Sequence, residues 1–139
     1  MRLTPGEARQ RLAAARVARL ATVSAAGQPH LVPVTFAADG DRVYIAIDHK
    51  PKTTTHLKRL ANIAANSQVT LLADHYADDW TQLWWSRADG HATVLDAGSP
   101  ATADPVALLV ARYPQYRATP PTGPVIAITV EAWSGWSYT

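Results

Sequence analysis

The sequence contains no cysteine, one methionine and one phenylalanine in 139 residues. The absence of cysteine excludes disulfide bonds, thiolate metal ligands and a cysteine nucleophile. Long apolar runs are lacking too: residues 125–130, one of the longest, are interrupted by Thr129, whereas a membrane-spanning helix needs about 20 apolar residues. These absences predict a cytoplasmic, soluble protein with no membrane span.

The sequence also lacks a large excess of positive over negative charge, because the formal net charge is only +2. Nucleic-acid binding normally requires a concentrated stripe of lysine and arginine, so no nucleic-acid partner is predicted. The distribution of charge is more informative than its total. Lys50, Lys52, Lys58 and Arg59 fall within a stretch that contains no acidic residue.

The pattern of the chain predicts a mainly β fold in a single domain spanning residues 1–139. Thr4-Pro5-Gly6-Glu7 has the form of a capping box and predicts a first helix. Segments of apolar and β-branched residues, joined mostly by hairpin-length turns, follow it and suggest about six strands with short helices. This order favours a closed or nearly closed antiparallel barrel over a parallel sheet.

Residues 44–60 combine a strand, a basic turn and the start of a helix. Pro51 ends the strand pattern, and helical spacing resumes at Leu57. Lys50 and Lys52 precede a run of threonines able to cap the helix, where free backbone N–H groups and the helix dipole favour an anion such as phosphate. A solvated basic turn explains the same residues, and the glycines of a P-loop are absent. Both interpretations stay open on the residues alone.

No motif for covalent or metal chemistry is evident. There is no Gly-x-Ser-x-Gly element and no serine beside a histidine. The group Asp74, His75, Asp78 and Asp79 holds only one histidine, so a structural loop is a better interpretation than a metal site, and no metal is predicted.

The five tryptophans are concentrated in two parts of the sequence. They suit either packing in the core and between subunits, or the lining of a site for a planar ring. Their positions leave both alternatives open. The tryptophans are Trp80, Trp84, Trp85, Trp133 and Trp136.

Taken together, several segments resemble the pyridoxamine 5′-phosphate oxidase-like split-barrel family over nearly the whole chain. They are Thr22-Val23-Ser24, Gly27-Gln28-Pro29-His30-Leu31-Val32-Pro33-Val34-Thr35-Phe36, Val43-Tyr44-Ile45-Ala46-Ile47-Asp48, Lys50-Pro51-Lys52 and the helix through residues 57–63. Residues 74–80 and 83–90, rich in tryptophan, look more narrowly like the actinobacterial branch thought to use the deazaflavin coenzyme F420.

The resemblance implies a six-stranded antiparallel split β-barrel that forms a homodimer with two cofactor sites at its interface. It places the cofactor phosphate at Lys50, Lys52, Thr53 and Thr54, and the ring against Val34, Thr35 and Ile47. Trp80 corresponds in position to an aromatic residue that approaches the ring from the partner subunit. Lys50-Pro51-Lys52 stands where the family usually has Arg-x-Lys, so the main phosphate contact is not assigned to one lysine.

The activity implied is hydride transfer from reduced coenzyme F420 to an unsaturated or conjugated small organic substrate. Since the cofactor carries the reaction, the protein needs no nucleophile of its own. Two alternatives remain: an FMN-dependent oxidase or reductase of the same fold, and a carrier that binds a flavin or tetrapyrrole without catalysis. No catalytic residue is assigned, because Tyr44, Tyr76, His75 and Asp79 are all possible proton sources.

Overall fold

The computed structural model describes residues 1–47 and 54–139, with side chains at residues 1–47 and 58–139. Its helices are α1 (Pro5–Ala14), α2 (Thr54–Ala65), α3 (Ala103–Arg112) and α4 (Pro114–Ala118). Its strands are β1 (Ala18–Val23), β2 (Pro29–Val34), β3 (Ala37–Asp39), β4 (Arg42–Ala46), β5 (Gln68–His75), β6 (Trp84–Leu95) and β7 (Val125–Ser137).

The strands form one antiparallel sheet in the order β2-β1-β5-β6-β7-β4-β3. The mainly β class is therefore confirmed. The prediction of six strands is wrong, because Ala37–Asp39 pairs with Arg42–Tyr44 and adds a seventh strand. Of the closed or nearly closed barrel that was predicted, full closure is wrong, since β2 and β3 are the two edges of the sheet and do not pair with each other.

The two edge strands are consecutive in the chain. Only Thr35 and Phe36 separate the end of β2 from the start of β3. Three Cα–Cα steps span at most about 11 Å, so the sheet must curl until its opposite edges approach each other. The result is a split barrel, joined at this point by the chain itself. We call residues 34–37 the seam.

Side chains that alternate along the strands fill the interior of the curled sheet. Leu20, Ile45, Leu71 and Ile126 are almost completely buried there, as expected for period-two alternation, and Phe36 joins them from the connection between β2 and β3. Outward-facing positions of β1 and β5 are partly exposed, so one face of each strand remains available. This second face carries the outer groove described below.

The first helix covers part of the sheet, and its predicted capping box is confirmed. The Thr4 hydroxyl accepts the N–H of Glu7 at 3.2 Å, and the Glu7 carboxylate accepts the N–H of Thr4 at 2.9 Å. Leu12 is fully buried, and the Ser86 hydroxyl donates to the Ala8 carbonyl at 2.6 Å. α1 is thus fixed to β6 by a buried hydrogen bond as well as by apolar contact.

The pairing of β6 with β7 shifts register between Asp89 and Gly90, where Glu131 of β7 is the extra, unpaired residue of a bulge. A β-carbon added to Gly90 would lie 2.1 Å from the carbonyl oxygen of Thr129 on β7, so only glycine allows this close approach. Pro33, which cannot donate to a ladder, lies on β2 at an edge of the sheet. Across the described residues, no helix is both long and apolar enough to cross a membrane.

Candidate functional site

A cleft opens at the seam because β4 is longer than its edge partner. β3 begins at Ala37, opposite Tyr44, so Ile45 and Ala46 continue past it without a neighbour on that side. The end of β2 lies across the gap. The described part of this cleft has a volume of about 140 Å³. Its lining residues are Pro33, Val34, Thr35, Ile45, Ala46, Arg59 and Tyr116.

The walls of the cleft suit the edge of a flat heterocycle. Val34 and Ile45 are buried and apolar; β2 is an edge strand, and residues 45–46 of β4 extend past β3, so both strand ends present backbone N–H and C=O groups on this side. Arg59, half-buried on α2, adds a positive charge to the lining. The combination of an apolar wall, backbone donors and acceptors and one cation is typical of a small-molecule site.

Helices α3 and α4 form an arm (residues 103–118) that is fastened to the seam by Tyr113. The phenol oxygen of this buried residue accepts the N–H of Phe36 at 3.1 Å, and the hydroxyl lies 2.9 Å from the Phe36 carbonyl oxygen. It also lies 3.0 Å from the carbonyl oxygen of Arg16. One side chain therefore satisfies the backbone groups of the residue that crosses between the sheet edges.

The next aromatic residue of the arm, Tyr116, reaches the cleft itself. Its hydroxyl lies 3.0 Å from that of Thr35, and its ring makes an edge-to-face contact with Tyr113 at a centroid distance of 5.7 Å. Arg117 donates to the carbonyls of Val110 and Ala111, which fixes the short helix α4 against α3. Tyr116 is thus held in place by neighbours on both sides.

Tyr116 and Thr35 also border a second, larger space, which we call the arm cavity. It is open to solvent, since four of its six lining residues are exposed, and its volume is about 660 Å³. Because the cleft and the arm cavity share these two residues, ligands in the two spaces would be neighbours. The arm cavity is lined by Arg16, Thr35, Tyr113, Pro114, Gln115 and Tyr116.

Of the three residues predicted to contact the ring, two lie in the cleft. Val34 and Thr35 both line the cleft, whereas the Ile47 side chain is buried in the main core and its N–H donates to the Pro124 carbonyl. Ile45 and Ala46 line the cleft in its place. Trp80 begins a short 3₁₀ turn, is 61% exposed, and does not line the cleft.

The predicted phosphate contacts fall almost entirely outside the described residues. Lys50, Lys52 and Thr53 belong to the segment 48–53, which the structure does not describe. Thr54 is the first residue of α2, but its side chain also lies outside the described part. The phosphate assignment therefore stays a prediction.

Sequence reasoning did not identify Tyr116 or Tyr113. The available signal was Pro114, which the pattern suggests as the end of α3 but which also starts α4 as its first residue. A helix of five residues is too short to show apolar periodicity. The contact of Tyr116 with Thr35 joins residues 81 positions apart, which no local pattern predicts.

A broad apolar groove of about 570 Å³ lies on the outer face of the sheet. Its apolar lining comes from outward positions of neighbouring strands, and Leu31 is 67% exposed. Ion pairs join Arg19 to Asp74 at 3.1 Å and Arg87 to Asp89 at 3.0 Å, and three of these four residues also line this outer groove. Its apolar members include Ala21, Leu31, Leu72, Leu83, Trp85 and Trp136.

The tryptophans are divided between these environments. Trp85 and Trp136 pair across β6 and β7 and line the outer groove. Trp133 packs against the core and donates its ring N–H to Asp41 at 2.8 Å. Trp84 also packs against the core, lies under the guanidinium of Arg11 and contributes to the lining of the outer groove. In the described structure, none of these side chains lines the cleft.

The possible proton sources named from sequence also lie elsewhere. His75 and Tyr76 line the outer groove, and neither they nor Tyr44 are among the described cleft residues. The Asp79 carboxylate accepts hydrogen bonds from the hydroxyl and N–H of Thr81, which lower its pKa and give it a capping role.

Comparison with known proteins agrees with this architecture. A family model described as pyridoxamine 5′-phosphate oxidase matches residues 4–137. An FAD-binding protein from Mesorhizobium loti has a TM-score of 0.76 at 20% identity, covering 97% of this chain and 95% of that one. A haem storage protein from Vibrio cholerae has a TM-score of 0.70 at 19% identity, covering 99% and 95%.

An FAD-binding protein from Mycobacterium smegmatis has a TM-score of 0.66 at 17% identity and covers 98% of each chain. At such identities these structures show a common fold alone. A comparison with curated proteins finds no match.

Proposed function

Since the chain belongs to the pyridoxamine 5′-phosphate oxidase-like split-barrel family, we propose that it is a coenzyme F420-dependent oxidoreductase. Its substrate would be an unsaturated or conjugated small organic molecule, and its location the cytoplasm. The observation that carries the proposal is the cleft at the seam, where Val34 and Thr35 meet Ile45 and Ala46. Two of the three residues expected to contact the ring are among its walls.

The residues present fit a tricyclic ring attached to a phosphate. Val34 and Ile45 provide an apolar surface, and the ends of β2 and β4 provide backbone groups for the polar edge of the ring. Lys50, Lys52, Thr53 and Thr54 would hold the phosphate next to the start of α2. When bound, the reduced deazaflavin would supply the hydride.

Parallel titrations with F420 and FMN, followed by quenching of tryptophan fluorescence, test this choice of cofactor. We expect saturable quenching with F420 and a weaker response to FMN. Tight binding of FMN with no response to F420 would overturn the assignment in favour of the flavin enzyme. That alternative is favoured by the two FAD-binding structural neighbours.

The phosphate contacts are tested by replacing both Lys50 and Lys52 with alanine. Charge-assisted hydrogen bonds contribute about 1.5–3 kcal/mol each, so the double variant should lose most of its cofactor affinity. Lys58→Ala is the matched control, because Lys58 is an exposed lysine on α2. Unchanged affinity in the double variant would refute the phosphate assignment.

A non-catalytic carrier is the remaining alternative, and the haem storage neighbour is the observation that favours it. Reduced F420 should be oxidised when the protein is mixed with a panel of enones and quinones. Tight binding of haem without any turnover of F420 would favour the carrier.

We also propose that two copies pair through the outer groove, with the partner's Trp80 approaching the cofactor. The groove is apolar, and its charges are already paired within one chain, so two copies can meet without repulsion between like charges. Leu31→Glu should convert the dimer to a monomer in sedimentation experiments. The matched control is Val17→Glu, since Val17 is exposed but does not line the groove. A wild-type mass of one chain would refute the pairing.

A further inference from the structure

The arm cavity contains an arginine whose charge has no ion-pair partner among the described residues. Arg16 is exposed, and its guanidinium makes one hydrogen bond within the described residues, to the Arg112 carbonyl at 3.1 Å. No described carboxylate lies within ion-pair distance of it. By contrast, Arg9, Arg19 and Arg87 each pair with an aspartate.

Arg112, in the same region, differs from Arg16 because its guanidinium is used to hold the fold together. Its guanidinium donates to the carbonyls of Ala13 and Ala15 and to the Tyr113 hydroxyl, so its donors are directed at the chain itself. Arg16 has five N–H donors and uses one of them in this way. Its remaining donors are available to a ligand in the arm cavity.

The position of Arg16 is also restricted before any ligand arrives. The central carbon of its guanidinium lies 5.1 Å from the centroid of the Tyr113 ring, a cation–π contact. The phenol of Tyr113 is itself fixed by the Phe36 backbone. A stacked guanidinium loses less freedom when it binds a carboxylate, which its planar fork matches.

From these contacts we propose that the arm cavity binds the substrate and that Arg16 recognises a carboxylate on it. No acidic side chain lines the cavity, and Thr35 and Tyr116 separate it from the cleft. The ligand class is a small planar conjugated acid, with its carboxylate on Arg16 and its unsaturated part towards the Thr35 and Tyr116 hydroxyls. The identification of this ligand as the substrate rests on the proposed function, whereas its binding does not.

Calorimetric titration of the full chain with trans-cinnamate and with cinnamamide tests the proposal. The two probes share their shape and differ in charge. We expect cinnamate to bind roughly three- to tenfold more tightly, as for a charge-assisted contact at an exposed arginine. Arg16→Gln should abolish the preference, whereas Arg9→Gln, on α1 and paired with Asp41, should retain it.

Equal affinity for the two probes, persistence of the preference in Arg16→Gln, or no binding of either probe would overturn the proposal. The affinity of Arg16→Gln for F420 and FMN is measured in parallel and should equal that of the wild type. A loss would overturn the substrate assignment, because Arg16 would then belong to the cofactor site. Failure of wild type to bind either cofactor would refute the proposed function but leave a measured carboxylate preference intact.

Discussion

Removal of one buried hydroxyl group, in Tyr113→Phe, tests how the seam is held together. The phenol oxygen accepts the Phe36 N–H at 3.1 Å, and its hydroxyl lies within 3.0 Å of the carbonyl oxygens of Phe36 and Arg16. Phe36 lies between two strands and is fully buried, so water cannot replace the lost partner. A buried donor left unsatisfied costs roughly 1–3 kcal/mol, and we expect a loss of about 2 kcal/mol.

For a domain of this length, such a loss lowers the midpoint of thermal unfolding by roughly 7 °C. Urea unfolding gives the free energy directly, and amide exchange should show faster opening at Phe36. Tyr138→Phe is the matched control, because Tyr138 is exposed and makes its ring contact with Trp136. If Tyr113→Phe unfolds like the wild type, with unchanged exchange at Phe36, the argument for this anchor is refuted.

Three further changes address other parts of the fold. Gly90→Ala places a β-carbon against the Thr129 carbonyl oxygen and should cost about 3 kcal/mol in urea unfolding. Thr4→Ala removes the helix cap and should cost about 1 kcal/mol, measured in the same way. The hydrogen bond from the Trp133 N–H, more than the charge of Arg9, lowers the pKa of Asp41 below its usual 3.8. The Asp41 carboxylate therefore stabilises the fold above pH 3.8, and this stabilisation is lost as the pH falls through the folded pKa. In Asp41→Asn, the free energy of unfolding should depend less on pH in that acidic range.

Gly6→Ala is the control for Gly90→Ala, because no atom lies within 4 Å of the added β-carbon at Gly6. Equal stability of these two alanine variants would contradict the close approach at the bulge. For Asp41→Asn, an acid unfolding curve that coincides with the wild type would contradict the assigned pKa shift.

Features of the fold that depend on neighbouring residues could be predicted from sequence. The capping box at Thr4 follows from backbone chemistry within a few residues, whereas Pro33 restricts its strand only to an edge, a bulge or an interruption, of which the structure has the edge. The strand Ala37–Asp39 was missed because three residues are too few to show alternation. Without this strand, the predicted number of strands was too low by one.

The candidate site was predictable only in part, for a related reason. Val34 lies in a strand with a recognisable pattern; the family resemblance names it as a ring contact, and in the structure it lines the cleft. Tyr116 and Arg16 reach the same region through the packing of the arm, which depends on contacts between distant parts of the chain. Tertiary packing of this kind has no signature in a local pattern.

The short connection through Thr35 and Phe36 also limits how the barrel can move. The last residue of β2 and the first of β3 can separate by no more than about 11 Å, because three Cα–Cα steps of the chain join them. The connection therefore limits separation of the two edges most strongly next to Phe36 and least at their far ends. A ligand that widened the cleft would act against the hydrogen bond between the Tyr113 hydroxyl and the Phe36 carbonyl, which holds this connection in place.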